Sequence, residues 1–159
     1  MRENNDECPQ ETGSSLEDAP VVLVSACLLG AACRYDGASK AHARLRVLLA
    51  GKAVVPICPE AAAGLGTPRP PVQLTGGVGE DVWRGDARAV SVERSEDRTA
   101  SFRHGAQLAL DAARAHGASL AILKERSPSC GSSAVYVDGA LVEGEGITTS
   151  LLRAHGVTE

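Results

Sequence analysis

The sequence predicts an α/β layered fold with a mainly parallel, Rossmann-like sheet and small β-hairpins. Three observations carry this expectation. Short continuous apolar runs recur at VVLVSA, AVVPI and SLAILK, as expected of strands buried on both faces. Stretches with helical spacing separate them, and strands alternating with helices pack as a layered sheet. The chain has 159 residues and is 43% hydrophobic, enough for one domain with a real core.

Residues 1–20 are polar and acidic, with no apolar segment like that of a signal peptide. They read as a disordered tail ahead of a single α/β domain over 21–159. VVLVSA (21–26) is the first strand. AHARLRVLLA (41–50) reads as a helix with Leu45, Leu48 and Leu49 on one side and Gly51 closing it. AVVPI (53–57) is the second strand, and Pro56, which lacks a backbone donor, suggests an edge or a strand end.

Residues 61–80 are rich in Gly and Pro and read as a long loop. VWRG and ARAVSVE suggest a hairpin around Gly85 and Asp86. The longest helix spans 99–116, with a stripe of Phe102, Ala106, Ala109, Leu110 and Ala113 and a closing Gly117. SLAILK (119–124) is the third strand. VYVDGALVEG holds the Asp138–Gly139 turn of a hairpin, and GITTSLLRAHG is a final short helix.

Aromatic residues make up only 3% of the chain, so Ala, Val, Leu and Ile must build the core. A net charge of −4 argues against a nucleic-acid partner held by bulk electrostatics. The apolar runs are too short to span a bilayer. A cytoplasmic protein without a membrane partner is expected. Its thiols are then reduced, and a cluster of them points to metal or catalysis rather than disulfides.

There are five cysteines: Cys8, Cys27, Cys33, Cys58 and Cys130. Cys8 lies in the tail. Cys27 and Cys58 directly follow the first and second strands, and Cys130 lies shortly after the third. In a parallel sheet all C-terminal strand ends share one edge, where ligands bind. If the three strands are neighbours, three thiols distant in sequence meet in one place. The competing reading is three inert buried thiols. No Cys-x-x-Cys pair occurs, so a zinc ribbon is disfavoured. Three thiolates with an open position suit a reactive metal or cluster.

Other polar residues crowd the same ends. CRYDGASK places Arg34, Asp36 and Lys40 in a turn, Glu60 lies two residues beyond Cys58, and Ser127 and Ser129 flank Pro128 beside Cys130. Arg34, Asp36 and Ser129 are candidate substrate-binding residues. His42, His104, His116 and His155 fall in or near helices, so no Cys–His dyad is expected.

SACLLGAACRYDG, VPICPE, GLGTPRPP and AILKERSPSCGS resemble, in order and spacing, the motifs of the thiouracil desulfidase family in its single-domain form. The resemblance runs from about Val21 to Val157. It implies a [4Fe-4S] cluster held by Cys27, Cys58 and Cys130, with the fourth iron free of protein ligand. Cys33 lies in a family motif too and is the alternative ligand. The resemblance also implies that Glu60 and Ser127 form the catalytic pair.

The implied reaction is non-redox removal of sulfur from a thiolated nucleobase or similar small thiocarbonyl compound. Sulfur is bound by the open iron, water adds at carbon, Glu60 moves protons, and hydrogen sulfide leaves. Gln73 stands where the family usually has Glu, and Ala63 where Gly is common. Two other readings stay open: a zinc-thiolate hydrolase or structural zinc protein, and a non-catalytic sulfur or cluster carrier.

Overall fold

The computed structural model describes residues 19–36 and 43–158. The first apolar run forms β1 (Val21–Ser25), which passes directly into a 3₁₀ turn at Ala26–Leu29. After α1 (Ala43–Leu48) come β2 (Ala53–Ile57) and the short α2 (Pro59–Ala62). Next are β3 (Val72–Thr75), α3 (Gly79–Arg84) and β4 (Arg88–Ser91). The chain continues with α4 (Thr99–His116), β5 (Leu120–Ile122), the hairpin β6 (Ala134–Val137) and β7 (Ala140–Glu143), and α5 (Ile147–Ala154).

Two sheets result. The first is wholly parallel, in the order β2-β1-β5. Its central strand alternates between two cores. Leu23 packs with Leu110, Ala113 and Leu152, while Val22 and Val24 pack with Leu45 and Leu49. All three strand residues are fully buried, which is why this strand reads as an unbroken apolar run. Pro56 sits on the edge strand β2, as expected.

The second sheet is mixed, in the order β4-β3-β6-β7, with β3 and β6 parallel and the outer pairs antiparallel. Its core gathers Leu74, Val82, Ala89, Val135 and Ile147. Helix α4 serves both sheets. Phe102 and Ala106 pack into the second core, and Leu110 and Ala113 into the first. Gly117 closes α4 in the left-handed conformation, a position that costs Gly no side-chain clash.

The structure corrects several expectations. The stretch 61–80 is not one loop, because it holds the end of α2, all of β3 and the start of α3. The hairpin around Gly85 and Asp86 does not form. VWR belongs to α3, and β4 pairs instead with β3 across that helix. Asp81 explains the helix: its carboxylate accepts the Val78 N–H at 2.9 Å, satisfying a donor at the helix start.

Leu48 faces solvent, while Leu45 and Leu49 are buried. Residues 1–18, His42 and Lys40 lie outside the described residues. No helix among the described residues is long and apolar enough to cross a membrane.

Candidate active site

The strand order β2-β1-β5 makes neighbours of the three strands that precede the cysteines. Cys27 lies in the 3₁₀ turn capping β1, a turn closed by Gly30 at φ 103°. Cys58 stands in extended conformation at the N-cap of α2, followed by Pro59. Proline fits the first helical position because its missing N–H would be unpaired there. Cys130 sits in the loop between β5 and β6. These three thiols and Cys33 line one cavity of about 550 Å³, together with Arg34, Tyr35, Glu60, Arg69, Glu125 and Ser127.

Two glycines make these placements possible. A β-carbon on Gly105 of α4 would lie 2.2 Å from the Pro59 carbonyl oxygen. Only glycine lets α4 touch the turn that carries Cys58 and Glu60. A β-carbon on Gly131 would lie 2.6 Å from Val135 Cγ1 and 2.9 Å from the Ser127 carbonyl oxygen, so the loop around Cys130 can close only on glycine.

The thiols feel one another. Burial pushes the Cys27 thiol up, and the neighbouring Cys58 adds to the effect, against the opposing charges of Lys124 and Arg34. Burial and then Cys58 push Cys33 up to about 12. Cys130 is raised chiefly by burial, with the Ser25 hydroxyl opposing and Glu60, Cys58 and Cys27 adding. Cys27, Cys58 and Cys130 thus interact in every pairing. Their ionised forms repel, and a cation among them would relieve that repulsion.

Among the described residues, no three Cys, His, Asp or Glu side chains are grouped so as to hold a single metal ion. The cysteine thiols that line the cavity are soft donors of the kind that suit iron–sulfur clusters. The Cys58 Sγ also lies 3.6 Å from the Cys33 carbonyl oxygen.

Two carboxylates face the cavity. Glu60 accepts a hydrogen bond from Arg69 Nε on Oε1 and from the Ser129 hydroxyl on Oε2, both at 3.3 Å. Glu125 instead accepts from the backbone N–H groups of Arg126, Ser132, Ser133 and Ala134 and from the hydroxyls of Ser132 and Ser133. Burial opposes its ionisation, but these donors together outweigh burial and hold it at about 2.

The predicted site residues divide by position. Arg34 and Ser127 line the cavity. The Ser127 Oγ accepts the N–H groups of Ser129 and Cys130 at 3.2 and 3.1 Å. Ser129 is only 1% exposed and holds Glu60 from behind rather than lining the cavity. Asp36 is exposed and does not form part of the lining. Gln73 does line it, with Oε1 accepting the Gly139 N–H at 2.8 Å. His104, His116 and His155 are exposed and away from the cavity.

Three residues went unread in the sequence. Arg69 pairs with Glu60, Glu125 organises the loop around Cys130, and buried Ser25 accepts the Lys124 N–H at 2.9 Å beside Cys130. Their partners are mostly backbone groups, which leave no mark in the pattern of side chains. The Pro residues on both sides of Arg69 were the one available signal.

Fold and site together define an α/β protein with a thiol-lined ligand cavity at the carboxyl ends of a parallel sheet. The chain belongs to the 2-thiouracil desulfurase family, whose model matches residues 22–158. It is 42% identical over 139 residues to the uncharacterized protein YbbK of Bacillus subtilis (strain 168), covering 86% of this chain and 91% of that one. It is also similar to the solved structure of TudS, a [4Fe-4S]-dependent thiouracil desulfidase. That match has a TM-score of 0.73 at 45% identity and covers 86% of this chain and 87% of TudS.

Proposed function

We propose that this protein is a [4Fe-4S]-dependent desulfidase that replaces the sulfur of a small thiolated nucleobase, such as a thiouracil, with oxygen from water. The reading rests on family membership and, above all, on one observation. Cys27, Cys58 and Cys130 lie in the segments that follow three adjacent parallel strands and share a single cavity with Glu60.

The cluster would be held by Cys27, Cys58 and Cys130, and when bound it supplies a soft Lewis-acidic iron suited to a thiocarbonyl sulfur. The remaining work falls to the chain. Glu60 Oε1 and Oε2 each hold one donor, and a carboxylate has lone pairs beyond those two. It can therefore take a proton from water as that water adds to the thiocarbonyl carbon. It returns the proton as sulfur leaves.

Ser127 has an opposite disposition. Its oxygen already accepts two backbone N–H groups, so its own proton is free to be donated to substrate or water. Arg34 and Tyr35 line the same cavity and offer contacts to the base. The balance is one thiocarbonyl plus one water giving one carbonyl plus one hydrogen sulfide, with no electron transferred.

Metal analysis after anaerobic reconstitution tests the site. Four irons per chain and visible sulfide-to-iron absorption are expected, lost in Cys27→Ala, Cys58→Ala and Cys130→Ala but kept in Cys33→Ala. Loss in Cys33→Ala with retention in one of the other three would replace a ligand. A colourless protein loaded with zinc would refute the cluster. A carrier would keep sulfide transfer in Glu60→Gln, whereas the desulfidase loses turnover with its cluster intact.

A further inference from the structure

We infer that Arg69 is a positioning residue whose buried guanidinium sets the orientation of Glu60 and the placement of the Cys33–Tyr35 cavity wall together. The inference deepens the desulfidase reading and rests on it for the role of Glu60.

The Arg69 side chain is 5% exposed and that of Glu60 is 15% exposed. Its Nε donates to Glu60 Oε1 at 3.3 Å. Nη1 donates to the Gly66 carbonyl at 2.8 Å and to Thr67 Oγ1 at 3.1 Å. Nη2 donates to the Cys33 carbonyl at 2.9 Å. The backbone N–H of Arg69 reaches the Tyr35 carbonyl at 2.6 Å. Nearly every donor of the residue is thus spent on the chain, which marks it as a holder of groups rather than a contact for substrate.

The surrounding sequence explains why the holder is stiff. Arg69 sits in TPRPP. Each proline fixes its own φ and restricts the residue before it, so the backbone on both sides of Arg69 has few conformations. The Gly/Pro-rich stretch is therefore a rigid mount, and the planar fork of Arg spreads from it in three directions. Lysine, a point charge on a flexible stem, can pair with Glu60 but cannot span Glu60, Gly66 and Cys33 at once.

The test uses the full chain with its cluster reconstituted. Wild type, Glu60→Gln, Arg69→Ala and Arg69→Lys are compared for iron content, kcat and KM with 2-thiouracil, and amide hydrogen exchange over residues 31–36. Arg69→Ala is expected to keep its iron and lose about 100-fold in kcat, the scale of a misplaced reacting group. Exchange over 31–36 should become faster, and added methylguanidine should restore part of both. Arg69→Lys should fall between the two, with fast exchange and partial kcat. It also serves as the variant to read if Arg69→Ala does not fold.

If Glu60→Gln loses turnover while Arg69→Ala stays within twofold of wild type, the inference is overturned. Unchanged exchange over 31–36 also overturns it. If Glu60→Gln keeps full turnover, or wild type releases no sulfide, the desulfidase reading of Glu60 fails instead. The exchange measurement then still decides whether Arg69 holds the wall.

Discussion

Glu60 and Glu125 are the same residue type on the wall of one cavity, yet their surroundings suit them to different work. Glu125 is saturated by six donors, four of them backbone N–H groups of its own loop. Glu60 has two, one from Arg69 and one from Ser129. A saturated carboxylate builds backbone and is held ionised. A carboxylate gripped at only two points keeps acceptor capacity for a proton in transit. Lining the cavity does not separate them, since both do so. Their donor counts do.

Exchanging each for its amide should break the symmetry in opposite ways. Glu60→Gln is expected to lower kcat for sulfide release by about 100-fold or more, the usual contribution of a general acid–base, with iron content unchanged. Sulfide assay alongside metal analysis checks this. Glu125→Gln should instead reduce stability by about 1 kcal/mol at neutral pH, because solvent screens part of the advantage of its depressed ionisation. Turnover per correctly loaded molecule should change far less. Chemical denaturation measures the first quantity and the assay the second.

Acid sharpens the contrast. Glu125 is held near 2 against an ordinary 4.5. Its stabilisation is therefore complete above about pH 4.5 and is lost as pH falls toward 2. Wild type should lose stability through that window, and Glu125→Gln should lose less. Equal slopes for the two proteins would show that the donors around Glu125 contribute nothing.

Smaller effects are expected from what holds Glu60. In Gly105→Ala, the new methyl would meet the Pro59 carbonyl oxygen at 2.2 Å, so α4 or α2 must shift. A cost of about 1–3 kcal/mol follows from overpacking, together with lowered kcat, because the Cys58–Glu60 turn moves. Ser129→Ala removes one donor from Glu60. One hydrogen bond is worth about 1 kcal/mol, or roughly fivefold in rate. Thermal unfolding and steady-state kinetics separate these two substitutions.

The parts legible in the sequence were those where one physical signal dominates. The buried run of β1, the stripe of α4 and the Asp138–Gly139 turn all form as read. The convergence of Cys27, Cys58 and Cys130 followed from their places after strands, given the order β2-β1-β5. The stretch from α2 to β4 was misread because its elements are short and embedded in Gly and Pro. The six residues of α3 bury Gly79 and Val82, too few to show a period. Trp83 is anchored instead by its indole N–H on the Ile147 carbonyl at 2.8 Å.

Glu125 and Arg69 escaped for another reason. What identifies them is a set of backbone groups brought together by the fold, and a one-dimensional pattern of side chains does not carry that. Ser129 shows the same limit from the other side. Its place beside Cys130 is plain in the sequence, but its burial behind Glu60 follows only from the closed loop around Gly131.

The most direct test of the account is to incubate the anaerobically reconstituted wild-type protein with 2-thiouracil, without added oxidant or reductant, and to quantify both products. The account predicts multiple turnovers, with uracil and hydrogen sulfide formed in equal amounts. A fully iron-loaded protein that releases no sulfide from thiolated bases, or does so only when a reductant is supplied, would contradict it.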